Sequence, residues 1–153
     1  MYFPSAFVLL ALAYQTIASP TGLEAVVKRG PPPPAGESVH LVNCSGGTRI
    51  SLVVYCSSDS VCFGNNNIPS NDICIKSLGS WFTWETSGGC TFPSGVSFTW
   101  NIASGSNTKP YGTDVGSGSN GFNDMVCKKD SDVYMFSYDG EACDTIYWCQ
   151  DSN

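Results

Sequence analysis

Eight cysteines, Cys44, Cys56, Cys62, Cys74, Cys90, Cys127, Cys143 and Cys149, restrict what this chain can fold into more than any other feature. An even count in a segment that follows an export signal reads as four disulfides. Zinc is the competing explanation, and it lacks its usual spacing: there is no C-x-x-C pair and a single histidine, His40. Strand geometry already excludes some pairings. Cys44 lies beside a turn and Cys56 at the far end of the partner strand, and about six extended residues span ~20 Å, whereas bonded cysteines hold their Cα atoms within ~7 Å. Cys44 therefore does not pair with Cys56. For the same reason Cys143 and Cys149, at the two ends of an extended segment, bond elsewhere.

The export signal is the run Phe7-Val8-Leu9-Leu10-Ala11-Leu12-Ala13, followed by small residues at Thr16 and Ala18, although no Lys or Arg precedes it. The run is too short for the ~20 residues of a membrane span. Val27-Lys28-Arg29 resembles the cleavage signal of dibasic processing proteases, and Pro31 to Pro34 form a stiff segment that displays it. The expected organisation is a signal peptide over residues 1–18, a propeptide over 19–29 ending at Lys28 and Arg29, a Pro-rich segment over 30–37, and one domain over 38–153. The mature chain carries 12 acidic against 5 basic residues, a formal charge of −7. That balance argues against nucleic acid, since phosphate contacts need clustered bases and only Lys128-Lys129 adjoin, and against a cationic membrane-lytic peptide.

Hydrophobic patterning predicts strands throughout. Residues 38–43 and 49–55 flank the turn former Ser45-Gly46-Gly47-Thr48 and read as a hairpin. Residues 57–72 are turn formers and predict a long loop around Cys62, followed by a short strand near Ile73–Ser77. The tripeptide Phe-Thr-Trp then occurs twice, as Phe82-Thr83-Trp84 and Phe98-Thr99-Trp100, in what reads as a pair of strands joined by a turn region carrying Cys90. In the second, Val96, Phe98, Trp100 and Ile102 alternate with Ser97, Thr99 and Asn101, the pattern of a strand with one buried face. Residues 104–121 predict a polar, Gly-rich loop; strands resume at 122–127, 132–138 and 144–149, with a turn at Tyr138-Asp139-Gly140-Glu141. The expected fold is all-β: about eight short strands in a disulfide-stapled antiparallel β-sandwich or Greek-key domain.

Functional motifs are sparse. Gly116-Ser117-Gly118-Ser119-Asn120-Gly121 matches G-x-G-x-x-G but lacks the strand–turn–helix setting of a dinucleotide site. Asp130-Ser131-Asp132 lacks the downstream Gly and Glu of a calcium loop and reads as a solvated turn. Asn43-Cys44-Ser45 is a glycosylation sequon, which makes Asn43 a candidate. A Ser-His-Asp triad would have to use His40, and no G-x-S-x-G elbow is present. A glycosidase needs two carboxylates about a sugar bond; Glu85, Asp114, Asp124, Asp139 and Glu141 are available, but no spacing selects a pair. No cofactor and no metal site is expected. The aromatics suggest a ligand surface instead, since Trp and Tyr stack on sugar rings when exposed. Trp84 and Trp100 are assigned to the core and Tyr147 is a weaker candidate, which leaves Trp81 and Tyr111 as the candidate ligand-binding residues.

Three segments, Val39-His40-Leu41-Val42-Asn43-Cys44, Trp84-Glu85 with Cys90 to Trp100, and Cys143-Asp144-Thr145-Ile146-Tyr147-Trp148-Cys149, resemble small secreted cysteine-rich proteins of filamentous fungi. That class has no assigned activity, so the resemblance implies an extracellular, host-facing role and transfers no catalytic residue. Hydrophobins differ by their adjacent cysteine doublets, and haem-binding CFEM domains are helical. The expectation is a secreted, monomeric, non-enzymatic, effector-like interaction protein with an extracellular protein or glycan as partner. The alternatives are a carbohydrate-binding module or lectin, and a small cell-wall polysaccharide hydrolase.

Overall fold

The computed structural model describes residues 36–151, in which eight antiparallel strands follow one another: β1 (Ser38–Ser45), β2 (Ile50–Cys56), β3 (Ile73–Leu78), β4 (Ser87–Thr91), β5 (Ser97–Ile102), β6 (Asp114–Ser119), β7 (Asp124–Tyr138) and β8 (Glu141–Asp151). The expected signal peptide and propeptide and the Lys28-Arg29 site lie outside the described residues. One sheet contains all eight strands, in the order β3-β2-β1-β8-β7-β6-β5-β4. Every neighbour in space is thus a neighbour in sequence, except that the first strand also pairs with the last. The all-β, antiparallel, disulfide-stapled character follows the patterning. The strands form a single rolled sheet, where stacking two sheets would leave edges to protect.

Rolling the sheet brings its two free edges, β3 and β4, face to face. There the Cys74–Cys90 disulfide crosses the seam, and Lys76 Nζ donates to the Gly89 carbonyl at 2.9 Å. Cys127–Cys149 and Cys44–Cys143 join residues that directly oppose each other on paired strands, while Cys56–Cys62 ties β2 to a single helical turn, α1 (Asp59–Cys62). The two pairings excluded on geometric grounds are indeed absent.

Side chains fill the lumen, as expected for eight strands. Val39, Leu41, Val53, Phe98, Trp100, Ile102, Val115, Met125 and Tyr147, drawn from nearly every strand, form one buried cluster with Trp84 and Phe92. A second cluster lies on the outer face of β1 and β2, where Val42, Ile50, Leu52 and Val54 pack with Cys62, Met135 and Phe136. The 57–72 segment covers this face, held by Gly64 N–H donating to the Met135 carbonyl at 2.8 Å and Ser137 N–H to Asn66 Oδ1 at 2.9 Å. Burial on both faces explains why β1 and β2 read as continuous apolar runs.

Several expectations fail for identifiable reasons. Phe82-Thr83-Trp84 is no strand; the partner of β5 is Ser87–Thr91, the stretch read as a turn region. The 104–121 loop contains β6, so the G-x-G-x-x-G match begins in a strand. Gly118 of β6 and Gly88 of β4 are packing notches: a Cβ on Gly118 would lie 2.5 Å from Phe98 Cζ, and on Gly88 2.4 Å from Trp100 Cζ2. Glycine at these two positions leaves room for the Phe98 and Trp100 rings of β5. The segments 122–127 and 132–138 are one long strand whose register breaks between Lys129 and Val133. Asp130-Ser131-Asp132 is that break, with Asp130 and Lys129 buried and Lys129 Nζ donating to Asp130 O at 2.6 Å and Asp132 Oδ1 at 3.0 Å. Asp139-Gly140 closes the β7–β8 hairpin with φ positive at both residues (50° and 79°), the two-residue turn that matches strand twist.

Candidate functional site

The two ends of the barrel differ. One is plugged by the residues between β3 and β4, which run under it: Phe82 N–H donates to Ser51 Oγ at 2.9 Å, Trp84 Nε1–H to Asn43 Oδ1 at 3.0 Å, and Tyr147 O–H to Glu85 Oε1. Phe82, Trp84 and Trp100 meet edge to face with centroids 5.1–6.0 Å apart. Burial, then the Glu85 hydrogen bond and charge, push the Tyr147 phenol well above its ordinary pKa.

The other end is an open mouth, where β1, β3, β5 and β7 begin and β2, β4, β6 and β8 finish. A cleft of about 230 Å³ lies there. Val39, Phe92 and Val96 supply apolar lining, Tyr55 and Phe122 aromatic lining, and Glu37, Asp72, Asn71, Ser94 and Asn120 polar groups. Phe122 is 83% exposed, the most exposed of the large apolar side chains described. It also lines an adjoining, more open groove with Ser97, Thr99 and Ser119. The 120–123 turn presents it: Asn120 Oδ1 accepts from the N–H groups of Phe122 at 2.9 Å and Asn123 at 2.7 Å, a side-chain turn of the kind Asn favours.

Glu37 organises the mouth. Its Oε2 accepts from Tyr55 O–H at 3.1 Å and its Oε1 from Asn120 Nδ2 at 3.4 Å and from Asn123 Nδ2. Burial raises the Tyr55 pKa, and the bond to Glu37 and the charges of Glu37 and Asp72 raise it further. Among the described residues no Lys or Arg lines the cleft. The mouth is therefore concave, partly apolar and negative, a combination that suits a small ligand at a barrel opening.

The candidates read from sequence fall elsewhere. Trp81 is 47% exposed, but its Nε1–H donates to the Cys44 carbonyl at 3.1 Å and the Arg49 guanidinium lies 4.8 Å over its ring, at the plugged end. Tyr111 is half-buried and stacks on Trp148 at 5.3 Å. The structure does not gather these two in one cleft. Trp84, Trp100 and Tyr147 are buried. Asn43 is half-buried, with its Oδ1 taken by Ser51 O–H and Trp84 N–H. All eight cysteines are in disulfides, so none remains as a thiolate ligand.

The groups weighed for catalysis are dispersed. His40 is fully buried between Ser38 Oγ at 3.1 Å and Thr145 Oγ1 at 3.2 Å, edge to face with Phe63. Glu141 accepts from the N–H groups of Gly47 and Thr48 at 2.7–3.0 Å and so ties the β7–β8 hairpin to the β1–β2 turn. Asp114 pairs with Lys128, Glu85 holds Tyr147, and Asp139 occupies the hairpin turn. Neither these four carboxylates nor Asp124 lines the mouth cleft. Among the described residues no helix is long and apolar enough to cross a membrane.

Sequence reasoning missed the mouth because its residues are distributed over residues 37–122 and converge only when the sheet closes. One local signal was available: Phe122 is a large apolar residue inside the polar turn Asn120-Gly121-Phe122-Asn123, where burial in a strand is not an option. No protein-family model, curated protein or solved structure matches the chain.

Proposed function

We propose that this chain is a secreted, non-enzymatic binding protein, effector-like in the manner of the fungal cysteine-rich proteins it resembles, that engages its partner through the barrel mouth. The observation carrying this reading is the exposed Phe122 at the rim of a negative, partly apolar cleft in a frame held by four disulfides. Phe122 is little buried in its own fold, and a large apolar side chain held out by a shaped turn is suited to contact another molecule. Three of the carboxylates weighed for hydrolysis, Glu141, Glu85 and Asp114, instead bind backbone, tyrosine and lysine groups, which supports binding over catalysis.

A glycan partner is the second reading, favoured by the amides and hydroxyl of Asn71, Ser94 and Asn120 around an aromatic-lined cleft. The test is a glycan array and a panel of extracellular proteins probed with the secreted chain. Binding that is lost in Phe122→Ala and kept in Trp81→Ala is the expected outcome. The reverse would move the site to the plugged end and overturn the mouth assignment. Sugar release from chitin, glucan or xylan that collapses in Glu85→Ala or Asp139→Ala would favour the hydrolase instead.

A further inference from the structure

We infer that the barrel mouth takes an aminosugar, with Asp72 receiving the protonated amine and Phe122 the apolar face of the ring. This rests on the mouth being the binding site, and it adds the chemistry of the occupant.

The two acids at the cleft are not equivalent. Both Glu37 oxygens are occupied, by Tyr55 on one side and by Asn120 and Asn123 on the other. That carboxylate is part of the frame. Asp72 ends the short 3₁₀ turn Ser70–Asp72, just before β3; its backbone N–H donates to the Pro69 carbonyl at 2.9 Å, and its side chain has no donor or cation among the described residues. With no base among the described residues lining the cleft, the charge of Asp72 faces a ligand and is reinforced by Glu37. A cation is complementary to this mouth, and an anion is excluded by the same field.

Charge alone would admit any amine; the remaining surface narrows the choice. A pyranose ring offers an apolar C–H face and hydroxyls around its edge. The cleft offers an exposed phenyl ring in Phe122, apolar lining in Phe92 and Val96, and groups able both to donate and to accept in Asn71 and Ser94. At about 230 Å³ it is smaller than the roughly 300–1,000 Å³ of sites for drug-sized ligands. It therefore accommodates one ring, with further units of an oligomer running into the open groove beyond Phe122.

The test compares the β-1,4-linked glucosamine trimer with its fully N-acetylated counterpart, by calorimetry and amide chemical-shift mapping on the secreted chain at pH 6. The glucosamine trimer should perturb the Asp72 and Phe122 amides. It should bind at least tenfold more tightly than the acetylated trimer, and weaken as salt rises. Asp72→Asn should abolish the tenfold preference. Asp124→Asn, which removes the same charge outside the cleft, should keep it, and unchanged thermal unfolding would show both variants folded. Equal binding of the two trimers at the mouth would overturn the amine assignment and leave the mouth as the site. No mouth perturbation by either trimer would overturn both. Displacement of the glucosamine trimer by a micromolar N-acetyl-Gly-Lys-Gly amide would replace the sugar with a lysine side chain.

Discussion

The glycines of β4 and β6 set a sharp condition on the packing of the lumen. In Gly118→Ala the new Cβ would stand 2.5 Å from Phe98 Cζ and 3.0 Å from Phe98 Cε2. Carbon atoms settle at about 3.5–4.0 Å, so the ring must retreat by about 1 Å. It has little freedom to do so, because Phe98 is fully buried and stacks on Trp100 with centroids 6.4 Å apart. Overpacking of this kind costs roughly 1–3 kcal/mol, against the roughly 0.4–1 kcal/mol that losing a glycine returns through the unfolded chain. A net destabilisation of about 1–2 kcal/mol is expected. Gly89→Ala provides the contrast within the same sheet, since its Cβ would meet Phe98 O and Thr99 Cγ2 at 3.4 Å, and it should be near neutral. Urea unfolding followed by tryptophan fluorescence measures both, and adding Phe98→Leu, which removes Cζ, should make the Gly118→Ala cost strongly non-additive. A Gly118→Ala protein as stable as Gly89→Ala would refute the argument that β6 is glycine-rich because Phe98 lies against it.

Removing the long-range disulfide by Cys44→Ser/Cys143→Ser, which closes a separation of 99 residues, should cost about 4–5 kcal/mol, against about 2 kcal/mol for Cys56→Ser/Cys62→Ser across 6; guanidinium midpoints would rank them, and the reverse order would contradict the loop-closure account. In alkaline titration followed at 295 nm, Tyr147 and Tyr55 should remain protonated above the ordinary tyrosine pKa of about 10. Because their folded pKa values are raised, their contribution to stability is complete below about pH 10 and declines as pH rises further; Tyr147→Phe should flatten that decline. Intact mass of the chain secreted from a eukaryotic host should show no glycan at Asn43, since its side chain is engaged by Ser51 and Trp84; a hexosamine mass lost in Asn43→Gln would refute this.

The β5 strand shows how much of the fold could be read directly. Ser97–Ile102 alternates exposed and buried without exception, as its residues require. The β1–β2 hairpin and the exclusion of the Cys44–Cys56 and Cys143–Cys149 pairings rested on equally local geometry. Alternation alone does not place the side chains of β8. A register shift between Leu41 and Val42 of β1 separates partners Tyr147 and Thr145, so Tyr147 turns into the lumen with Cys149 while Cys143 joins the outer cluster. No pattern within 144–149 announces that extra residue. The repeated Phe-Thr-Trp is likewise two different objects, the second a core strand and the first an end plug. Identical tripeptides were given different partners by the closure of the sheet.

The amino-acid sequence by itself determined that the chain is all-β, stapled by disulfides, acidic and provided with a core of alternate aromatic residues. These properties depend on residue chemistry and spacings of a few positions, so they are present before any long-range contact forms. Only the tertiary structure decided that the strands roll into one barrel, that β3 and β4 meet across a seam bridged by Cys74–Cys90, and that Glu37, Tyr55, Asp72 and Phe122 share a mouth. Those residues lie far apart in the chain, and the free energy that unites them comes from filling the lumen with Trp84, Phe98, Trp100 and Tyr147. The site is a consequence of how that core closes, and for that reason it has no compact signature in the sequence.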